Sequence, residues 1–114
     1  MHLIKIINCN IENINAVFTS HGIGMKKVLI SEKETESSIT QIAMTYLIAG
    51  DQVKCHNHPT MDEHFFIVEG NGVITINGIN IPFRKGSFVV VPVNKKHSLK
   101  AETDIDILNV GVEL

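Results

Sequence analysis

Glycine, proline and asparagine interrupt this 114-residue chain at intervals of about 8–12 residues, a rhythm that suits short strands and leaves little room for helices. The segments between the interruptions are rich in β-branched side chains. Seventeen Ile and 11 Val stand against 6 Leu and 4 Ala. Such side chains fit a pleated, half-buried surface better than a helix. Ten strands follow from this reading, at 2–8, 25–30, 39–48, 53–56, 63–68, 73–77, 79–84, 88–91, 97–102 and 105–112. Asn77-Gly78 marks a tight hairpin, and Pro82 assigns 79–84 to an outer position. The run Phe88–Val91 is apolar on both faces, which predicts a strand covered on both sides. SEKETESS at 31–38 reads as a solvated loop. The expected architecture is all-β, a small antiparallel barrel or double-sheet jelly roll.

A chain of this length is expected to form one domain, 1–114, able to bury about two-thirds of its unfolded surface without a staple. The motif-bearing barrel spans about 39–112, with the N-terminal strands packed on it or on a partner. Net charge is −2 and Arg84 is the single arginine, so the basic stripe of a nucleic-acid binder is absent. No apolar stretch approaches the ~20 residues of a membrane span, and no charged-then-apolar leader opens the sequence. Cys9 and Cys55 do not make a disulfide framework, so a reduced, cytoplasmic setting is expected. Six histidines in so short a chain remain to be explained.

Their spacing supplies the explanation. His56 and His58 are two apart, so on an extended strand both imidazoles leave the same face. Glu63 opens the next strand beyond a short loop and can return a carboxylate beside them. His97, after Pro92, is free to close the set across a barrel. Three imidazoles and one carboxylate form a mixed N/O site for a divalent transition metal (Fe, Mn, Ni, Zn or Cu), with positions left open on a six-coordinate ion. Taken singly, each of these residues would be ordinary surface or packing chemistry. The combination of spacing, parity and framing turns points to ligands.

These residues carry a resemblance to the cupin family. Its first motif is Gly, five residues, His-x-His, three or four residues, Glu, six residues, Gly. Gly50, DQVKC, His56-Asn57-His58, PTMD, Glu63, HFFIVE and Gly70 match it throughout. The second motif runs Gly86, SFVVV, Pro92-Val93-Asn94, Lys95-Lys96, His97, SLK, Ala101. Asn94 replaces a turn glycine, a position where Asn tolerates left-handed backbone. Ala101 replaces an asparagine and removes a polar group near the site without touching a ligand. The resemblance implies a jelly-roll barrel, a metal centre, and dioxygenase, isomerase or lyase chemistry on a small polar metabolite. A non-catalytic binding or sensing module with a structural metal is the other class it allows. It also implies a homodimer, which the apolar Leu3-Ile4-Ile6-Ile7 segment would suit. The lack of arginine disfavours highly anionic substrates, which require guanidinium clamps.

By strand parity, Phe65 and Ile67 share the face of Glu63, and Leu99 and Ala101 that of His97, so all four are expected to line the cavity. Tyr46 would be a spare proton donor if it faces the metal. His64 and Cys55 point to opposite faces unless a bulge reverses them, and Cys55 reads as a buried thiol. Asp62 is the runner-up carboxylate. His2 and His21, in terminal or loop sequence, receive no role.

Overall fold

A computed structural model describes residues 6–114 as ten strands in two antiparallel sheets. The strands are β1 Val17–Phe18, β2 Met25–Ser31, β3 Ile39–Leu47, β4 Gln52–His56 and β5 Met61–Glu69. They continue as β6 Gly72–Ile76, β7 Ile79–Phe83, β8 Phe88–Val91, β9 His97–Ala101 and β10 Ile105–Glu113. Six strands pair in the order β1-β2-β3-β10-β5-β8, and four in the order β4-β9-β6-β7. This is the double-sheet jelly roll that the alternation of apolar residues predicts, with no α-helix among the described residues.

The two inner faces meet in one core. Leu47, Ile67, Val91, Ile105 and Ile107 of the larger sheet pack against Val53, Ile74, Phe83, Leu99 and Ala101 of the smaller. Ile67, Ile74 and Ile105 are almost wholly enclosed. Withdrawing each such side chain from water contributes about 1.5–3 kcal/mol. The β-branched excess of the sequence is therefore the material of the barrel wall.

Local turn chemistry behaves as expected. Asn77 and Gly78 both have positive φ, 51° and 83°, and join β6 to β7 in a two-residue hairpin. Asn94 adopts φ 62°, the conformation a turn glycine would take. Pro82 lies on β7, at the edge of its sheet. The 31–38 segment is mostly exposed and includes one 3-10 turn, Glu32–Glu34, capped by Ser31.

Two expectations require correction. β8 is an edge strand with one open face: Phe88 is 60% exposed and Val90 37%. A doubly apolar run and an edge strand read alike in sequence, because only long-range pairing decides which neighbours cover it. Of the strand expected at 2–8, residues 6–8 belong to no strand and Ile6 is 85% exposed. The remainder of that segment, with His2, Leu3 and Ile4, lies outside the described residues.

Candidate metal centre

The two sheets bring His56, His58, Glu63 and His97 together at one end of the barrel. His56 closes β4 and is paired in register with His97, the first residue of β9. Their rings sit 4.2 Å apart, centre to centre. His58 follows in the loop beyond β4, its ring 5.2 Å from that of His56. Glu63 reaches in from β5 of the opposite sheet. One donor atom from each of the four residues lies within 4.8 Å of all the others. Donors bound at about 2.1 Å to one ion are at most about 4.2 Å apart, so closure by a few tenths of an ångström would complete a coordination shell.

Hydrogen bonding leaves the required lone pairs free. His56 Nδ1 donates to the Lys54 carbonyl at 2.8 Å, and His97 Nδ1 to that of Lys95 at 3.1 Å. A carbonyl can only accept, so Nδ1 carries a proton, and in the neutral imidazole Nε2 keeps its lone pair. Glu63 Oε1 contacts His58 Nε2 and lies 3.6 Å from His97 Nε2. Neither Glu63 Oε1 nor His97 Nε2 makes a hydrogen bond of good geometry, although both atoms are buried. Buried polar atoms without partners are costly, and a cation between them would satisfy both.

The electrostatics match this arrangement. Burial opposes ionisation of Glu63, but the facing His97, His58 and His56 outweigh it and hold the carboxyl below its usual range. Burial also opposes protonation of His97, yet the Glu63 carboxylate and the Lys95 carbonyl raise it above the ordinary value. In His58 burial prevails over Glu63, and the imidazole is held lower. The site is thus poised between an ion pair and a set of neutral donors with one carboxylate, the form a metal selects.

Backbone bonds fix the ligand loops. The Asn94 N–H donates to the His58 carbonyl at 2.7 Å, and Asn57 Nδ2 donates to Asn94 Oδ1 at 2.6 Å. Asp62 Oδ1 accepts from the Val93 N–H at 2.7 Å. Asp62 therefore ties the β8–β9 turn to β5 and stands outside the cluster. The motif around Pro92 holds the His-x-His loop in place.

A cavity of about 310 Å³ opens beside the four donors. Phe65 and Leu99 line it as expected, with Leu47, Val53, Ile74 and Ile107. Ile67 and Ala101 face the same way but are sealed in the core beneath it, each 1% exposed. Tyr46 is not at the cavity: it lies beside Phe18, Met25 and Ile48 on the outer side of the larger sheet, where burial and then Asp106 raise its hydroxyl pKa. His64 also faces outward, against Phe88. Cys55 points away from the cluster and is exposed, not buried.

Sequence reasoning missed His21. Its ring lies 6.0 Å from that of His56, and with Thr19 and Ser20 it forms one rim of the cavity. Thr19 Oγ1 donates to the Ile23 carbonyl at 2.6 Å, which shapes this turn. At Gly24, φ 78°, a Cβ would meet the Tyr46 carbonyl oxygen at 2.6 Å, so only glycine lets the turn close against β3. Burial, then the neighbouring His56, lowers the His21 pKa. No local pattern marks this residue.

A double-sheet β-barrel with a three-imidazole, one-carboxylate cluster at its mouth defines a class of small metal-competent barrels. The Cupin domain family profile matches residues 43–111, more than half of the chain, and the protein belongs to that family. It is 24% identical over 102 residues to the uncharacterized protein MJ1618 of Methanocaldococcus jannaschii, covering 88% of this chain and 79% of that one. Among solved structures it resembles a predicted oxalate decarboxylase of Thermotoga maritima, with TM-score 0.81, 24% identity and coverage of 92% and 97%. It likewise resembles the ectoine synthase of P. lautus, with TM-score 0.82, 19% identity and coverage of 95% and 78%. At these identities the two structures share the fold. No helix among the described residues is long and apolar enough to cross a membrane.

Proposed function

We propose that this protein is a metal-dependent enzyme of dioxygenase, isomerase or lyase type, acting on a small polar metabolite. His56, His58, Glu63 and His97 hold the metal. The observation that carries the reading is the pair of buried, unbonded atoms, Glu63 Oε1 and His97 Nε2, at the wall of an accessible cavity. A divalent ion held by four protein donors would supply Lewis-acid or redox chemistry at the positions left open. The protein's own part is positional. Phe65, Leu47, Val53 and Leu99 give the cavity an apolar wall that limits water. Thr45 and Asn109, bonded to each other at 2.7 Å, offer polar contacts on the β3–β10 side.

The test is metal analysis of the purified protein by mass spectrometry, followed by oxygen uptake and product analysis across a panel of small metabolites. One bound Fe, Mn, Ni, Cu or Zn per chain and turnover of at least one metabolite are expected. Metal without turnover would turn the assignment to a binding or sensing module with a structural metal. A preparation that retains none of these metals after reconstitution would remove the metal centre altogether.

A homodimer belongs to the same reading. Phe66 (43% exposed), Phe88 and Val90 form an apolar patch on the outer face of the larger sheet, at its β5–β8 edge. Half-buried Leu108 and Val110 continue it on β10. A second copy would cover this patch. Sedimentation equilibrium is expected to give twice the mass of one chain, 12.6 kDa. A mass of one chain would contradict the pairing.

A further inference from the structure

We propose that the cavity takes a small monocarboxylate, whose carboxyl group is held by Lys26 and Gln41, on the β2–β3 part of the sheet that also carries Glu63; this rests on the metal-centre reading above. Lys26 is the one lysine or arginine among the described residues that lines the cavity. Arg84, the single guanidinium, is exposed and does not line it.

The topology explains how the ammonium arrives there. Lys26 on β2 is paired with Thr45 on β3, whose side chain faces the cavity. Its side chain runs along the sheet past Ala43, small and fully buried, and Nζ donates to Gln41 Oε1 at 3.3 Å. An ammonium has three protons and this bond takes one; the Gln41 amide also has two N–H groups to offer. Next across the sheet comes Gly111 of β10, paired with Gln41 on one side and Glu63 on the other. Gly111 projects no side chain; Thr40 and Met61 lie over it, and their side chains line the cavity between Gln41 and Glu63.

Two strand spacings, about 10 Å at the backbone, separate Gln41 from Glu63 along the sheet. A chain of a few carbons, its carboxylate on Lys26 and a hydroxyl or carbonyl toward the ligand cluster, spans that gap. The cavity, at about 310 Å³, stands at the small end of the range for ligand sites. One cation matches one negative charge. Among the described residues a polyanionic substrate finds no second ammonium or guanidinium at the cavity.

The test uses metal-loaded protein and matched pairs, C2–C5 hydroxy- and oxo-acids with the corresponding neutral amides, such as 4-hydroxybutyrate and 4-hydroxybutyramide. Binding is followed by calorimetry and NMR titration. At least one acid is expected to bind about ten- to a hundredfold more tightly than its amide, as for a charge-assisted hydrogen bond. Lys26→Met should abolish that preference while leaving metal content unchanged, and Gln41→Leu should reduce it severalfold. A preference that survives Lys26→Met would assign the carboxylate to the metal and overturn the proposal. So would a panel in which no acid binds better than its amide. Metal content is read separately: a wild-type protein without metal overturns the metal-centre reading, while an acid preference that Lys26→Met abolishes would still support the anion cradle.

Discussion

Glu63→Gln is expected to lower affinity for divalent metal on the order of a hundredfold or more. Outer partners of metal ligands are worth ten- to a hundredfold, and Glu63 is itself the anionic donor in the cluster. The change removes charge and keeps shape, so it tests coordination separately from packing. In the wild-type protein, chelation should lower the melting temperature. Metal at a hundred times its dissociation constant adds about 2.7 kcal/mol, or about 10 °C for a domain of this size. Glu63→Gln should show no such difference with and without chelator. Equal metal content in the two proteins after dialysis would refute the assignment.

Acid should release the same metal. The imidazoles must be neutral to coordinate, and His97 is held above the ordinary histidine value by Glu63. Affinity is therefore complete above that raised value and falls as pH drops through it, since protons then compete for His97.

Gly111→Val is expected to destabilise the fold by about 1–3 kcal/mol, the usual penalty of overpacking, and to block the cavity. A Cβ at this position would run into the Thr40 hydroxyl and meet Met61 Sδ at 3.0 Å. Thr40 is turned toward the cavity by the bulge that shifts the β3–β10 register at Gly111–Val112. Thermal unfolding measures the first effect, and small-acid binding by the metal-loaded variant measures the second. Metal content should persist, because none of the four ligands is displaced. Unimpaired binding in the variant would show that the Gln41–Glu63 gap is not where ligand sits.

Much of the site was legible because its determinants are local. His56 and His58 stand two apart at a strand end, and Glu63 begins the inward set Glu63, Phe65, Ile67 on β5. Asn94 signals its own backbone conformation, and the structure gives it φ 62°. Parity predicted direction well but not depth. Ile67 and Ala101 face inward with Phe65 and Leu99, yet end in the core below the cavity, because only packing between sheets sets how far a cavity extends. For Tyr46 the direction itself is decided by its place on β3, between outward-facing Met25 and Asp106 in register.

By itself the sequence determined the strands from β2 onward, their hairpin and turn conformations, and which four residues come together in one cluster. These follow from a side-chain period of two and from residues whose backbone preferences are their own. The tertiary structure alone decided that β8 is an open edge, that His21 reaches the cavity rim, and that Lys26 and Gln41 line one cavity with Glu63. Each depends on which distant strands pair and in what register, a choice made by burial over the whole barrel and recorded at no single position.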